Sequence, residues 1–135
     1  MSLVAIGMNH KTASLDIREK ISVDKIESTR ILKKLHSMPI IDEVFLLSTC
    51  NRTEIYCEID DLNYVEHISA WLLKQKGLSL KDFENNIYSY SDSSVVRHAL
   101  NVASGLDSMI IGEPQILGQF KDAFSKANNA GTIGK

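Results

Sequence analysis

Between Glu43 and Ile59 two extended stretches are separated by only a short polar corner, and no other part of the chain constrains the fold as tightly. Val44-Phe45-Leu46-Leu47 is apolar at every position, as suits a central strand covered on at least part of both faces. After a polar break at Asn51-Arg52-Thr53-Glu54, strict alternation sends Ile55, Cys57 and Ile59 one way and Tyr56 and Glu58 the other. The chain must turn a strand pair around a corner that carries a thiol, Cys50, and a permanent cation, Arg52.

The flanking segments fix the layer. Leu3-Val4-Ala5-Ile6-Gly7 reads as a buried first strand ending in the polar cluster Asn9-His10-Lys11-Thr12. From Asp24 to His36 the apolar residues Ile31, Leu32 and Leu35 recur at helical spacing, and Pro39 stops the helix. Leu62 to Lys76 is a second helix with Val65, Ile68 and Leu72 on one stripe and Gly77 past its last turn, and Ile87 to Tyr90 is a fourth strand. Strand, helix, strand, strand, helix, strand is the order of an α+β ferredoxin-like split βαβ sandwich, an antiparallel sheet with helices on one face. Two additional C-terminal helices follow. Ser93 or Ser94 caps the first, which runs to about Ser104, and Pro114 opens the second, with Ile116, Phe120, Ala123 and Ala127 as its stripe.

With 135 residues, 44% of them apolar and 24% charged, the chain is one domain able to bury a core without disulfides or a structural metal, and it is not disordered. No apolar run approaches a membrane span, and Met1 to Met8 lacks the pattern of a signal peptide, so a cytoplasmic location with no membrane partner is expected. The net charge of −2 excludes generic, charge-driven nucleic-acid binding; any RNA contact must be local. Lys33, Lys34, Lys74 and Lys76 are candidate phosphate contacts or merely a solvated surface.

Two cysteines in a reducing compartment stay thiols. Cys57, inside the alternating stretch, reads as a small core hydrophobe, whereas Cys50 reaches a polar corner beside Arg52, which can favour thiolate; packing remains its alternative role. The cysteines are seven residues apart and no C-x-x-C or H-E-x-x-H occurs, so no metal site is expected. His98 borders an apolar helical stripe, either as a satisfied core-edge imidazole or as a proton donor and acceptor. Gly105 to Gln115 mixes glycines, a proline and polar side chains, so a ligand could come close to its backbone. Gln115 and Gln119, one turn apart, can line one pocket wall with Ser108 and Glu113, or face water at a helix start.

Three ordered motifs carry a family resemblance across essentially the whole chain: Gly7-Met8-Asn9-His10-Lys11-Thr12-Ala13 with Arg18-Glu19; Ser48-Thr49-Cys50-Asn51-Arg52-Thr53-Glu54-Ile55-Tyr56; and Ala103-Ser104-Gly105-Leu106-Asp107-Ser108 running into Gly112-Glu113-Pro114-Gln115-Ile116-Leu117-Gly118-Gln119. Together they closely resemble the N-terminal catalytic domain of the glutamyl-tRNA reductase family. The resemblance implies reduction of the glutamyl group of glutamyl-tRNA to glutamate-1-semialdehyde, the first committed step of a route to tetrapyrroles. It implies Cys50 as the nucleophile that forms a thioester, and His98 as a residue important for activity. Thr49, Asn51, Arg52, Ser108, Glu113, Pro114, Gln115 and Gln119 are implied as the glutamate pocket.

The same resemblance implies NADPH as cofactor, held by a Rossmann domain absent from residues 1–135, where no G-x-G-x-x-G follows a strand. It further implies a homodimer formed through a C-terminal domain, and glutamate-1-semialdehyde aminotransferase as a partner. The single domain is therefore expected to lack reductase activity by itself. The alternatives are a non-catalytic tRNA-binding module, which would not need a thiol beside an arginine, and a thiol hydrolase that releases free glutamate.

Overall fold

The computed structural model describes residues 2–103 and 129–132. The expectations placed on residues 104–128, including the helix opened by Pro114, lie outside the described residues. Four strands, β1 (Ser2–Asn9), β2 (Ile41–Ser48), β3 (Arg52–Ile59) and β4 (Tyr88–Ser91), form one sheet in the order β2-β3-β1-β4. Every neighbouring pair is antiparallel. Helices α1 (Leu15–Ile21) and α2 (Lys25–His36) connect β1 to β2, and α3 (Val65–Gln75) and the short α4 (Leu80–Phe83) connect β3 to β4. This is the split βαβ arrangement expected from the sequence, with α5 (Ser93–Ala103) added after β4.

Strand alternation divides the sheet into two faces. Val4, Ile6 and Met8 of β1, Val44 and Leu46 of β2 and Ile55, Cys57 and Ile59 of β3 point to the first face. There they pack on Ile31, Leu32 and Leu35 of α2 and Ile68, Leu72 and Leu73 of α3. The register keeps these residues level across the sheet: Val4 lies opposite Cys57, which lies opposite Val44. Ala5, Leu47 and Tyr56 point the other way and pack on Val95 and Val102 of α5. The crossover helices thus cover one face, and α5 covers the second.

Local chemistry sets the element ends. Asp24 caps α2 by accepting the Glu27 N–H at 2.8 Å. Gly77, at φ 70°, sits in the left-handed conformation just past α3. Thr132 exchanges two hydrogen bonds with Val44, the Val44 N–H donating at 2.9 Å and the Thr132 hydroxyl donating back at 2.8 Å, and so pairs with the outer edge of β2.

Four sequence expectations need correction. The apolar run Val44 to Leu47, read as a central strand, lies in β2 at the edge of the sheet among the described residues; it is apolar throughout because Val44 and Leu46 face the crossover helices while Leu47 faces α5. The supposed break Asn51-Arg52-Thr53-Glu54 is mostly strand: β3 begins at Arg52, and Arg52, Thr53 and Glu54 are all buried. Helix α1, capped by Ser14, was not anticipated. Helix α5 begins at Ser93, and Asp92 precedes it at φ 53° with its carboxylate accepting the Leu3 N–H at 3.2 Å, so neither Ser93 nor Ser94 stands before the helix as a cap.

Candidate functional site

Strands β2 and β3 are joined by a turn that Thr49 closes. The Thr49 N–H donates to the Arg52 carbonyl at 2.7 Å. Its hydroxyl oxygen accepts from the N–H groups of Asn51 at 3.1 Å and Arg52 at 3.3 Å. Threonine suits this position because one side-chain oxygen satisfies two backbone donors that the ladder cannot reach. Cys50 is left exposed at the tip of a rigid hairpin. The base of the turn is tied down by Ser48, whose hydroxyl meets Thr53 Oγ1 at 3.0 Å and accepts the Val23 N–H between α1 and α2 at 3.0 Å.

Cys50 lies in an open cleft of about 450 Å3 shared with Ser48 and Thr49 and, from α1 and the segment after it, Leu15, Arg18, Glu19, Ser22 and Val23. The cation of this cleft is Arg18, only 9% exposed, whose Nε–H donates to the Ser14 carbonyl at 3.4 Å. Arg18 belongs to the first sequence motif, but nothing in its immediate sequence points to the Cys50 cleft.

Arg52, expected beside the sulfur, is directed elsewhere. Its side chain is completely buried, and Nη1 donates to Glu54 Oε2 at 3.4 Å. The reason is alternation: Arg52, Glu54 and Tyr56 share the face of β3 under α5, so the guanidinium joins a buried carboxylate. Tyr56 donates its hydroxyl to Glu54 Oε1 at 2.8 Å. The Tyr88 hydroxyl and His98 Nε2 both meet Oε2. A carboxylate only accepts, so Nε2 of His98 carries the proton.

Burial alone would push the Glu54 carboxyl up. The His98 hydrogen bond and charge, the Arg52 charge and the Tyr88 hydroxyl outweigh it and hold Glu54 below its ordinary value, as the anion. Tyr88 is pushed up, first by burial and then by the Glu54 charge and hydrogen bond, and stays a neutral donor. Rings enclose the cluster: Tyr90 stacks on His98 with centroids 4.4 Å apart, Tyr88 meets it edge-on at 5.6 Å, and Phe45 stacks on Tyr56 at 4.7 Å.

Gly7 makes room for this carboxylate. It lies on β1 opposite Glu54 of β3 and Tyr88 of β4. A Cβ at Gly7 would stand 2.3 Å from the Thr53 carbonyl oxygen and 2.9 Å from Glu54 Cγ. Glu54, Tyr88 and Gly7 were missed as a unit. The available signal was the polar spacing Arg52, Glu54, Tyr56, one face of a strand.

The remaining candidates divide plainly. Thr49, Cys50 and Asn51 share the turn, Arg52 leaves it for the sheet face, and His98 sits 6% exposed on Glu54, the arrangement of a satisfied buried imidazole. Cys57 is buried, and burial pushes its thiol up to about 12, as befits a core residue. Lys76 is removed from the phosphate candidates by its ion pair with Glu27 at 2.7 Å, whereas Lys33, Lys34 and Lys74 are exposed. Ser108, Glu113, Pro114, Gln115 and Gln119 lie outside the described residues.

Among the described residues no three His, Cys, Asp or Glu side chains gather as metal ligands, and no helix is long and apolar enough to cross a membrane. The same residues do not fit a dinucleotide: the strands are antiparallel, the space at Gly7 is filled by the Thr53 carbonyl and Glu54, and Gly77 follows a helix where a phosphate-binding glycine would precede one.

The family described as glutamyl-tRNAGlu reductase, N-terminal domain, matches residues 6–135. A glutamyl-tRNA reductase from Shewanella baltica is 53% identical over 135 residues, a match covering 98% of this chain and 31% of the relative. One from a Marinomonas species is 43% identical over 134 residues, covering 99% of this chain and 32% of the relative. Among solved structures, glutamyl-tRNA reductase from Methanopyrus kandleri superposes with a TM-score of 0.77 at 30% identity, covering 98% of this chain and 30% of that one. The chain spans about a third of the length of the curated relatives it matches.

Proposed function

The chain belongs to the glutamyl-tRNA reductase N-terminal domain family, and from that premise we propose that it accepts the glutamyl group of glutamyl-tRNA on Cys50. The Cys50 thiol gives up its proton, the Sγ thiolate attacks the ester carbonyl, the bond from that carbonyl carbon to the ribose oxygen breaks, and the tRNA leaves as an alcohol on taking up a proton equivalent to the one the thiol lost. A thioester of glutamate remains on the protein. The observation that carries this reading is the contrast between the two thiols: Cys50 is exposed at a rigid hairpin tip in a cleft with Arg18, and Cys57 is sealed in the core.

The glutamyl pocket in this reading comprises Thr49 and Asn51 of the hairpin with Ser108, Glu113, Pro114, Gln115 and Gln119, positions that match the family's motif, while Arg52, sealed on Glu54, supports the hairpin from beneath. Reduction of the thioester, with NADPH as hydride source and a product bound for tetrapyrrole synthesis, belongs to a dinucleotide-binding domain other than the one described. Residues 1–135 by themselves acylate and then lose glutamate to water.

Pre-steady-state deacylation with glutamyl-tRNA in excess over protein tests the proposal. Wild-type protein gives a burst of free tRNA equal to the amount of protein, and Cys50→Ser gives none. A burst of equal size in Cys50→Ser would remove the thiol from the reaction.

A further inference from the structure

The chemistry at Cys50 does not by itself require the buried cluster beneath α5, in which four side chains meet on the one carboxylate of Glu54. Glu54 is fully enclosed and receives Arg52, Tyr56, Tyr88 and His98 from three different elements. A buried carboxylate with four donors is held in one geometry, and so are its donors. Arg52 is one of them, and its backbone closes the thiol turn: its carbonyl accepts the Thr49 N–H and its N–H donates to the Thr49 hydroxyl. A continuous set of contacts therefore runs from Glu54 through Arg52 to the turn that presents Cys50.

We propose that Glu54 is a positioning residue for the reaction at Cys50: its buried carboxylate clamps Arg52, and through Arg52 the Thr49 to Arg52 turn, while the same carboxylate fixes His98 on α5. The inference rests on the reading of Cys50 as the acyl acceptor. Glu54 itself touches no substrate. Gly7 lies against the same stretch of β3: a Cβ there would stand 2.3 Å from the Thr53 carbonyl oxygen and 2.9 Å from Glu54 Cγ.

The test uses Glu54→Gln, which keeps the shape and the acceptor oxygen but removes the counter-charge of a buried guanidinium. Arg52 then has an uncompensated charge and turns toward water, loosening the turn. Acylation by saturating glutamyl-tRNA is expected to fall about 100-fold, the scale of an ångström's misplacement. Alkylation of Cys50 by iodoacetamide, which asks only for an exposed thiol, should stay within about twofold of wild type. The guanidinium nitrogen resonances of Arg52 should be distinct and slowly exchanging in wild type, where Glu54 holds the group, and should collapse in Glu54→Gln to those of a freely rotating arginine. Glu54→Asp should recover part of the acylation rate.

Acylation by Glu54→Gln within about threefold of wild type, or unchanged Arg52 resonances, would overturn the inference. Should Glu54→Gln fail to fold, Tyr88→Phe carries the test: it keeps both charges and deletes one hydrogen bond, and a wild-type acylation rate there counts against Glu54. Should wild-type protein alkylate normally but never acylate, the reading of function fails, and the arginine resonances still decide whether Glu54 positions Arg52.

Discussion

Replacing Gly7 by alanine sets two effects of opposite sign against each other. Gly7 does not have a positive φ, so alanine fits its backbone conformation and, by restricting the unfolded chain, would stabilise by about 0.4–1 kcal/mol if the space were open. The space is not open. The new Cβ would lie 2.3 Å from a backbone oxygen, Thr53 O, and 2.9 Å from Glu54 Cγ, and a strand backbone cannot give way as a flexible side chain can. Overpacking of this kind costs about 1–3 kcal/mol. Displacing Glu54 by the several tenths of an ångström needed also weakens at least one hydrogen bond to a charged group, about 1.5–3 kcal/mol more. Steric and polar losses exceed the entropic gain, and Gly7→Ala should be less stable by about 1.5–5.5 kcal/mol. In urea unfolding this lowers the midpoint by roughly 1 M or more at an unchanged slope. Gly77→Ala is the control: nothing lies within 4 Å of a Cβ there, so only the φ of 70° is strained, and the loss should be near 1 kcal/mol with no effect at Cys50. A Gly7→Ala midpoint equal to or above wild type would refute the idea that β1 needs glycine there to lie against Thr53 and Glu54 of β3.

Native-state alkylation at pH 8, read by peptide mass, should label Cys50 and leave Cys57 unlabelled until the chain is denatured. Burial pushes the Cys57 thiol from 9.0 to about 12 and makes its thiolate about 1000-fold scarcer. Stability should fall on both sides of neutrality. Glu54 is held below its ordinary 4.5, so its contribution is complete above about that pH and is lost as pH drops through the folded-state value; the gap between wild type and Glu54→Gln narrows there. Cys57 is shifted upward, so the folded state keeps a proton that the unfolded chain loses above pH 9.0, costing up to about 4 kcal/mol by pH 12, which Cys57→Ala should not show. Arg18→Gln should slow Cys50 alkylation by anionic iodoacetate by a few fold relative to neutral iodoacetamide, because the cleft then lacks its cation. An unchanged ratio of the two rates would mean that the Arg18 charge does not reach the sulfur.

What the sequence disclosed was whatever depends on short-range periodicity. Ile55, Cys57 and Ile59 alternate, Ile31, Leu32 and Leu35 repeat at helical spacing, and Asp24 and Pro39 bracket α2; each of these features lies within a window of a few residues. The order of those elements was enough to name the split βαβ sandwich, whose sheet runs β2-β3-β1-β4. What it concealed depends on partners far away in the chain. Arg52-Thr53-Glu54 looks like a break because charged residues rarely occupy a buried strand. Here they can, since His98 and Tyr88, 44 and 34 residues further on, arrive on α5 and β4 to satisfy Glu54. Adjacency also misled about Arg52: close to Cys50 in sequence, it enters the strand on the face that turns it toward Glu54. Arg18 reaches the Cys50 cleft from α1, a seven-residue helix too short for its period to announce itself.

The central claim is that Cys50 takes the glutamyl group covalently, and trapping the adduct tests it most directly. Protein mixed with radiolabelled glutamyl-tRNA and quenched in acid should carry label on the peptide containing Cys50, released by hydroxylamine as a thioester is. The label should be absent from Cys50→Ser and retained by Cys57→Ser. Label on any other residue, or equal labelling of Cys50→Ser and wild type in protein shown to be folded, would contradict it.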